Sequence, residues 1–387
     1  MIRDVHHLQA LLEDIRTFVR ERWHPLEDQV DREGVLPESL VDELRRKGYF
    51  GWSIPEAYGG LGLTTEELVL CAMELSQASV ALRARVGTNT GIGSEALVVD
   101  GTPEQKQHWL PRMAAGELTS CLALTEPEAG SEASNVQTSA RKDSDHYVLN
   151  GRKRFITNAP IADLFTVIAR EDGWVIDGRK WFITGAFIVE TRNPGFRLVR
   201  GIQSINPYAV GGHGEIEFQQ CLVRHDAVLG EVGQGLAYAQ QRLEPARLSH
   251  CMRLMGRARR ALELAQAYVN ERMSFGQRLA DVQQIQAMVA DCHIDLHASR
   301  LMTRDCAARM DAGLSVKTES AMTKVFVSEA LHRVADRAAQ MMGALGMSND
   351  TPVALILNEL RSFRIYDGAS ELHRATLGRR FLHHTTT

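Results

Sequence analysis

Apolar residues recur at the spacing of an α-helix near both ends of the chain. In the first third, residues 8–22, 37–46 and 65–75 show this period, and Thr102 followed by Pro103 is typical of a helix start. In the tail, apolar residues recur at steps of three to five: Met322, Val325, Ala330, Val334, Ala338, Met341 and Leu345. Each pattern predicts a helix that buries one face in a core.

The middle of the chain instead has short runs of strand-forming residues, separated by turn signals such as Asn150-Gly151 and Asp177-Gly178. We expect strands at 121–124, 147–149, 154–157, 164–169, 187–190 and 215–218. The predicted fold class is mainly α with a central β domain: an N-terminal helical domain at 1–115, a middle β domain at 116–235 and a C-terminal helical bundle at 236–387.

The composition describes a globular protein of 387 residues, 44% hydrophobic and 24% charged. Lys and Arg number 44 against 48 Asp and Glu, so no basic domain indicates a nucleic-acid partner. The six cysteines form no Cys-x-x-Cys pair, which argues against a zinc knuckle or a disulfide framework. No apolar run approaches about 18 residues, and the N-terminus resembles neither a signal nor a transit peptide, so we expect no membrane span and a cytoplasmic location.

Two segments of the predicted β domain carry groups suited to a flat polar ring. Residues 124–131 end a strand in a hydroxyl residue, a proline turn and Gly-Ser, and residues 155–159 offer an aromatic ring beside a hydroxyl. Together they would sandwich a heterocyclic cofactor. Residues 148–159 also recur in similar form at 175–186. We expect the first copy to contact the ligand and the second, which contains Trp181, to form a neighbouring hairpin.

These segments belong to a series of motifs by which the chain resembles the acyl-CoA dehydrogenases. The motifs are Pro55–Gly60, Leu124–Ser131, Phe155–Ala159, Arg272–Gly276, Gln340 with Gly343, and Ile365–Glu371. Members of this family are FAD enzymes that introduce a trans double bond between the α and β carbons of an acyl-CoA thioester. The resemblance therefore implies an acyl-CoA dehydrogenase-like fold, an FAD cofactor and an acyl-CoA substrate.

The resemblance also implies FAD contacts from several parts of the chain. In the β domain these are Leu122, Leu124, Thr125, Gly130, Ser131, Phe155 and Thr157, with Phe155 standing where the family usually has tryptophan. The residues that match contacts to the FAD of a neighbouring subunit are Arg272, Ser274, Phe275 and Gln283, which implies a homo-oligomer, typically a tetramer. Further cofactor contacts are Gln340, Gly343, Ala369 and Glu371.

The resemblance assigns the catalytic base to Asp367. Dehydrogenation of a thioester needs a carboxylate that removes the α proton while the β hydrogen leaves as hydride to flavin N5, and we expect such a base to be dry, with a raised pKa. The residues alone leave two roles open, because an aspartate before Gly368 also suits the cap of a terminal helix. The family motif is commonly Tyr-Glu-Gly-Thr, and its match to residues 366–369 favours the base. The implied substrate contacts are Ser131, Arg247, Tyr366 and Gly368.

Several arginines near these motifs have two interpretations. Arg247 is a candidate for the CoA side of the site, and its alternative is a surface ion pair with Glu244. Arg83 and Arg85 follow an apolar helix, where they would either bind a polar or carboxylated acyl tail or lie on the surface. We expect the surface position for both.

The implied electron acceptor is an electron-transfer flavoprotein, and three other functions stay open. The first is a flavin oxidase of the same fold, similar to nitroalkane oxidase, in which an aspartate is the base and the substrate carries no CoA. The second is a flavin-carrying DNA-binding relative, against which the charge balance argues. The third is a catalytically silent member. A metal enzyme is not expected, since His293 and His297, although one turn apart, suit solvated helix positions.

Overall fold

The computed structural model describes residues 1–171, 175–176, 179–180, 183–203, 212–231 and 233–383. The chain forms two compact units. The helical unit comprises Met1–Glu33, Thr64–Arg83 and Ala246–Thr387, and the sheet unit comprises Gly34–Leu63 and Ala84–Pro245. Along the chain, the order of elements is helical, then β, then helical, as the sequence predicts.

The α-helices of the described residues are, in chain order, α1 Val5–Phe18, α2 Glu27–Glu33, α3 Glu38–Arg46, α4 Thr65–Leu75, α5 Val80–Gly87, α6 Glu95–Asp100, α7 Pro103–Ala114, α8 Gly235–Glu271, α9 Gln283–Asp311, α10 Lys317–Met342, α11 Val353–Ser362 and α12 Ser370–His383. None of the helices in these described ranges is long and apolar enough to cross a membrane.

The β-strands are β1 Ser120–Ala123, β2 Ser139–Asp143, β3 His146–Thr157, β4 Leu164–Glu171, β5 Val175–Ile176, β6 Arg179–Lys180, β7 Ile183–Glu190, β8 Phe196–Ile202, β9 His213–Arg224, β10 Met273–Ser274 and β11 Gln277–Arg278. One sheet has the order β1-β4-β2-β3-β9-β8, with β7 also pairing with β4. Strand β1 runs parallel to β4, whereas β3 runs antiparallel to both β2 and β9.

Local sequence signals explain several helix boundaries. Thr102 caps α7, because its hydroxyl accepts the N–H of Gln105 while the Gln105 side chain accepts the N–H of Thr102. Thr64 and Glu67 form the same capping box at the start of α4. The apolar stripe of the tail lies on α10 as far as Met341, with Val334, Ala338 and Met341 buried in the core of the helical unit, and Leu345 follows the end of the helix.

The predicted turn at Asn150-Gly151 is wrong. Residues 146–157 form one strand, β3, and Gly151 lies where its register with β9 shifts. A side chain at Gly151 would collide with Thr138, since its Cβ would lie 2.5 Å from the Thr138 Oγ1. The turn comes earlier, between β2 and β3, where Ser144 has a φ of 53°. The glycine therefore permits a bulge and close packing within a continuous strand.

The core of the helical unit is formed by α8, α10 and α11, with apolar residues of α9 packed against it. Gly256 lets α8 approach the end of α4, because a Cβ there would lie 2.6 Å from the Met73 carbonyl oxygen. The middle of α8 also contacts the residues that precede α12, since His250 Nε2 lies 2.7 Å from Asp367 Oδ2. The side chains of that region form the site described next.

Candidate active site

Asp367 lies in a strained turn between α11 and α12. Its φ is 48° and that of Gly368 is 98°, so two successive residues have left-handed backbone conformations. Glycine is required at the second position, since a Cβ there would lie 2.6 Å from His373 Nε2. A non-glycine residue in the left-handed region costs about 1 kcal/mol or more of folding free energy. The turn therefore fixes the position of Asp367 at a cost in local stability.

The Asp367 carboxylate is held by His250 of α8. Its Oδ2 lies 2.7 Å from His250 Nε2, and the two side chains are 21% and 13% exposed. The imidazole packs edge-on to Phe363 at 5.3 Å and tilted against Tyr366 at 5.9 Å. Among the described residues, Asp367 Oδ1 accepts no hydrogen bond and His250 Nδ1 has no partner. The carboxylate thus has one fixed oxygen and one available oxygen.

The pKa of Asp367 is lowered from its ordinary value. Burial raises it, but the charge and hydrogen bond of His250 and the charges of Arg247 and Arg253 outweigh burial. Burial lowers the pKa of His250, although the charge and hydrogen bond of Asp367 act in the opposite direction, and its Nε2 donates to the Asp367 carboxylate. The expectation of a raised pKa for Asp367 is therefore wrong for this state of the protein.

Two buried side chains, Lys324 and His373, hold the backbone of the same turn. Lys324 Nζ donates to the Gly368 carbonyl at 2.6 Å, and His373 Nε2 lies 3.0 Å from the Asp367 carbonyl oxygen. Burial lowers the pKa of Lys324 to about 8 and that of His373 to about 4, so His373 is a neutral donor at pH 7. Sequence reasoning missed both residues and His250 as well, because only the fold brings α8, α10 and α12 together here.

Of the predicted substrate contacts, three lie beside this cluster. Tyr366 and Gly368 flank the base, and Tyr366 packs against Phe363 at 5.5 Å. Arg247 lies one turn before His250 on α8, and its Nη1 donates to the Ser320 hydroxyl at 3.4 Å. Its charge acts on the Asp367 carboxylate, so it faces the cluster and is half-buried.

In the sheet unit, a buried ion pair fixes the loop after β1. Lys153 Nζ lies 2.7 Å from Glu126 Oε1, and both side chains are buried. Lys153 Nζ also donates to the Leu124 carbonyl at 3.0 Å, and the Arg154 N–H donates to the Thr125 carbonyl at 2.8 Å. Sequence reasoning missed this pair, although it holds two of the predicted cofactor residues, Leu124 and Thr125.

The same edge of the sheet presents Phe155 and Thr157. Phe155 has a φ of 59° at the second register shift of β3, and 52% of its side chain is exposed. The Thr157 hydroxyl lies 3.3 Å from His213 Nδ1, and the Thr157 carbonyl accepts the Cys121 thiol of β1 at 2.9 Å. The ends of β1 and β3 therefore lie together, as the cofactor prediction requires.

The other predicted cofactor residues are exposed or half-buried. Gly130 and Ser131 are exposed in the loop after β1, and Leu122 of that strand is half-buried. Met273–Ser274 pairs with Gln277–Arg278 in a hairpin whose tip, Phe275 at a φ of 51°, is fully exposed. The remaining predicted residues are exposed or half-buried near element ends: Arg272, Gln283, Gln340, Gly343, Ala369 and Glu371. No hydrogen bond in the described ranges joins Arg272, Gln283 or Gln340 to Asp367.

The residues present fit a flavin dinucleotide. The sheet unit offers an uncovered aromatic ring, Phe155, and a hydroxyl, Thr157, while the helical unit offers the cation Arg272, suited to a pyrophosphate, beside the uncovered ring of Phe275. Gly343 adds a φ of 59° and open space where a Cβ would lie. In the repeat copy at 175–186, β5 pairs antiparallel with β6, whereas Trp181 and the Asp177-Gly178 turn lie outside the described residues. Across those residues no group of three or more metal-ligating side chains occurs.

Three family models match consecutive parts of the chain. The acyl-CoA dehydrogenase N-terminal domain matches residues 6–117, the middle domain residues 121–221 and the C-terminal domain residues 233–382. Together these matches span nearly the whole sequence and follow the observed order of helical, β and helical segments.

Individual relatives match over similar lengths. The chain is 31% identical to an acyl-CoA dehydrogenase of Bacillus subtilis over 371 residues, covering 95% of this chain and 96% of the relative. It is 31% identical over 354 residues to the caffeyl-CoA reductase-Etf complex subunit CarC of Acetobacterium woodii, covering 90% and 91%. The solved acyl-CoA dehydrogenase of Bacillus anthracis complexed with FAD superposes with a TM-score of 0.88 at 28% identity, covering 98% of this chain and 67% of that one. The chain therefore belongs to the acyl-CoA dehydrogenase family, with its three-part fold, and is an FAD-dependent flavoprotein oxidoreductase.

Proposed function

We propose that this protein dehydrogenates an acyl-CoA thioester between its α and β carbons, with the Asp367 carboxylate as the base that removes the α proton. The observation that carries this proposal is the geometry of Asp367: an ionised, largely buried carboxylate in a left-handed turn, with one oxygen bonded to His250 and the other available. A capping carboxylate accepts backbone N–H groups of the helix that it begins. Here the bonded oxygen faces α8.

The lowered pKa suits a base in the waiting enzyme. A carboxylate must be deprotonated before it accepts the α proton, and His250 together with the neighbouring arginines secures that state at neutral pH. When the acyl chain covers the turn and displaces water, desolvation acts against the carboxylate charge and raises its proton affinity. FAD, when bound, supplies the two-electron acceptor for the hydrogen that leaves the β carbon.

The FAD contacts that we propose form two sets. Leu124, Thr125, Phe155 and Thr157 would provide carbonyls, a hydroxyl and an aromatic face, held in place by the Lys153–Glu126 pair. The second set of contacts would come from Arg272, Ser274, Phe275, Gln283, Gln340, Gly343, Ala369 and Glu371. A fully exposed Phe275 supports a second copy as its partner, and we propose a homotetramer in which this hairpin reaches a neighbour's cofactor.

For the electron acceptor we propose an electron-transfer flavoprotein. The support is the relative from Acetobacterium woodii, which is a subunit of a caffeyl-CoA reductase-Etf complex. The cytoplasmic location stays a prediction from the sequence.

The proposal is tested by the visible spectrum of the flavin. Purified holoenzyme is mixed anaerobically with a panel of acyl-CoAs, and bleaching of the flavin band is followed. We expect bleaching by at least one thioester and a loss of about 10³-fold or more in its rate in D367N. D367E, which restores the length usual in the family, is the matched control and should keep measurable bleaching.

Two outcomes would contradict the proposal. Bleaching that is equally fast in D367N would remove Asp367 as the base. Absence of bleaching by any thioester, with bleaching by a nitroalkane, would favour a flavin oxidase acting on a substrate without CoA.

A further inference from the structure

The hydroxyl of Thr157 has one hydrogen-bond partner in the part of the chain that the structure describes. Its Oγ1 lies 3.3 Å from Nδ1 of His213, a residue that belongs to none of the sequence motifs above. Thr157 of β3 and His213 of β9 are directly opposed in the antiparallel register, so their side chains share one face of the sheet. Both residues are half-buried, and the contact joins the predicted flavin hydroxyl to an imidazole.

The backbone around this pair is fixed by further hydrogen bonds. The Thr157 carbonyl accepts the Cys121 thiol at 2.9 Å, and the Asn158 N–H donates to the Gly212 carbonyl at 2.8 Å. Asn158 is fully buried, and its side-chain amide donates to the Ala84 carbonyl at 2.8 Å. A β-branched threonine on a fixed backbone has few side-chain rotamers, whereas its hydroxyl proton still rotates to suit its partners. The remaining freedom of Thr157 is therefore the direction of that proton.

The direction of the Thr157 proton has a consequence for a flavin. The N5 atom of an oxidised flavin accepts a hydrogen bond, whereas the N5–H of a reduced flavin donates one. A hydroxyl that directs its proton away from N5 offers its lone pairs and favours the reduced form, and the opposite direction favours the oxidised form. Hydrogen bonds to ring nitrogens are one of the means by which a protein tunes its cofactor.

We propose that His213 sets this direction. Its Nδ1 accepts the Thr157 hydroxyl proton, because a neutral imidazole has one acceptor nitrogen, and the Thr157 oxygen is left as an acceptor for the N5–H of reduced FAD. The inference rests on the proposed function, in which Thr157 supplies the hydroxyl near N5 and the hydrogen of the β carbon goes to the flavin. That hydrogen becomes a donor that needs an acceptor in a site without water. His213 is thus a positioning residue, since it acts on the flavin through Thr157.

The test is the midpoint potential of the flavin in holoenzyme without substrate, measured by anaerobic reductive titration against a reference dye. H213L should shift the equilibrium towards oxidised flavin by about tenfold, the effect of one ordinary hydrogen bond, which lowers the potential of a two-electron couple by about 30 mV. H213A also lacks an acceptor, so the result does not depend on how leucine packs. H213N should keep most of the wild-type potential, because its Oδ1 branches from Cγ as Nδ1 does.

A double variant shows whether the effect passes through Thr157. T157V lacks the hydroxyl, so adding H213L to it should leave the potential where T157V alone places it. H225L is the matched control: His225 follows the other end of β9, where its ring lies 5.9 Å from that of Tyr147, and its loss should leave the potential unchanged. The Kd for FAD is measured for each variant, and every titration uses FAD-saturated protein.

Three results would overturn this inference. An unchanged potential in both H213L and H213A would show that His213 does not act on the flavin. A higher potential in these variants would mean that Nδ1 donates to Thr157, which is the reverse direction. An equal shift by H213L with and without the Thr157 hydroxyl would show an effect that bypasses it. No thioester is present in these titrations, so failure of the proposed function, in which no acyl-CoA bleaches the flavin, is a separate result.

Discussion

Replacing Arg83 by methionine should make the protein more stable. The effective cost of burying an unpaired ion is several kcal/mol, and methionine removes the charge while keeping most of the apolar stem. Arg83 of α5 is 1% exposed, so the prediction that it lies on the surface is wrong, and its Nε and Nη1 have no hydrogen-bond partner among the described residues. Removal of these groups therefore leaves no described acceptor unsatisfied. The void left by the guanidinium costs about 1 kcal/mol or more. The balance is a stabilisation of about 1 to 3 kcal/mol, or about 2 to 6 °C in Tm at about 2 °C per kcal/mol for a chain of this size.

The assay is thermal unfolding of FAD-saturated protein at one protein and cofactor concentration, so that mass action does not move Tm. R257M gives the control of opposite sign. It removes the cation that pairs with the buried Glu359 and one of the two that pair with the buried Glu27, which should cost about 3 to 5 kcal/mol. A Tm for R83M more than about 2 °C below the wild type would refute the reasoning, because it would mean that a counter-charge already neutralises Arg83.

Three further predictions concern the residues that position the site. K153M should lower Tm and FAD retention, since it leaves the buried Glu126 carboxylate without its cation at a cost of about 3 to 5 kcal/mol. The double variant K153M/E126Q should recover part of this loss. H250F should raise the pKa of Asp367, because it removes a hydrogen bond and a charge that lower it, so the fall of kcat/KM on acidification should begin at a higher pH. G368A should destabilise the protein by about 1 to 3 kcal/mol and reduce kcat, as measured by unfolding and by turnover of the thioester that bleaches the flavin.

Each of these predictions has a contradicting outcome. Additive losses in the K153M and E126Q double variant would show that the pair is not coupled. If kcat/KM of H250F begins to fall at the same pH as in the wild type, or at a lower pH, His250 is not the cause of the low pKa of Asp367. H293F is the matched control there, since His293 is exposed. A G368A protein with unchanged kcat would show that the base does not depend on the left-handed turn.

The sequence predicted helices well where the signal depends on residues that lie within about one helical turn of each other. The helix cap at Thr102 depends only on Gln105, three residues later. The α10 helix was predicted from the spacing of its own apolar residues. The signal at Asn150-Gly151 failed for a tertiary reason: Thr138 of the neighbouring segment packs where a side chain would lie, so glycine marks close packing and not a reversal of the chain. A dipeptide alone does not distinguish these two causes.

The candidate site was predicted where a motif is contiguous and missed where partners are distant. Asp367 was assigned from its own tetrapeptide, but His250 lies 117 positions earlier and Lys324 lies in a stripe that looked like plain core. The direction of the Asp367 pKa depends on His250, Arg247 and Arg253 of the distant α8, so it was predicted wrongly. Arg83 was placed on the surface, because nothing in its neighbours indicates burial of a charge.

The turn at Asp367 is anchored to three helices that are far apart in sequence. His250 of α8 holds the carboxylate, Lys324 of α10 holds the Gly368 carbonyl, and His373 of α12 holds the Asp367 carbonyl. The position of the base is not fixed in a partly folded chain, because each side chain that holds the turn belongs to a different helix. Fraying of α12 alone releases one anchor while the core of α8, α10 and α11 persists. Loss of activity in mild denaturant should therefore precede the loss of helical signal, and catalysis is a more sensitive reporter of the last packing step than spectroscopy of the whole fold.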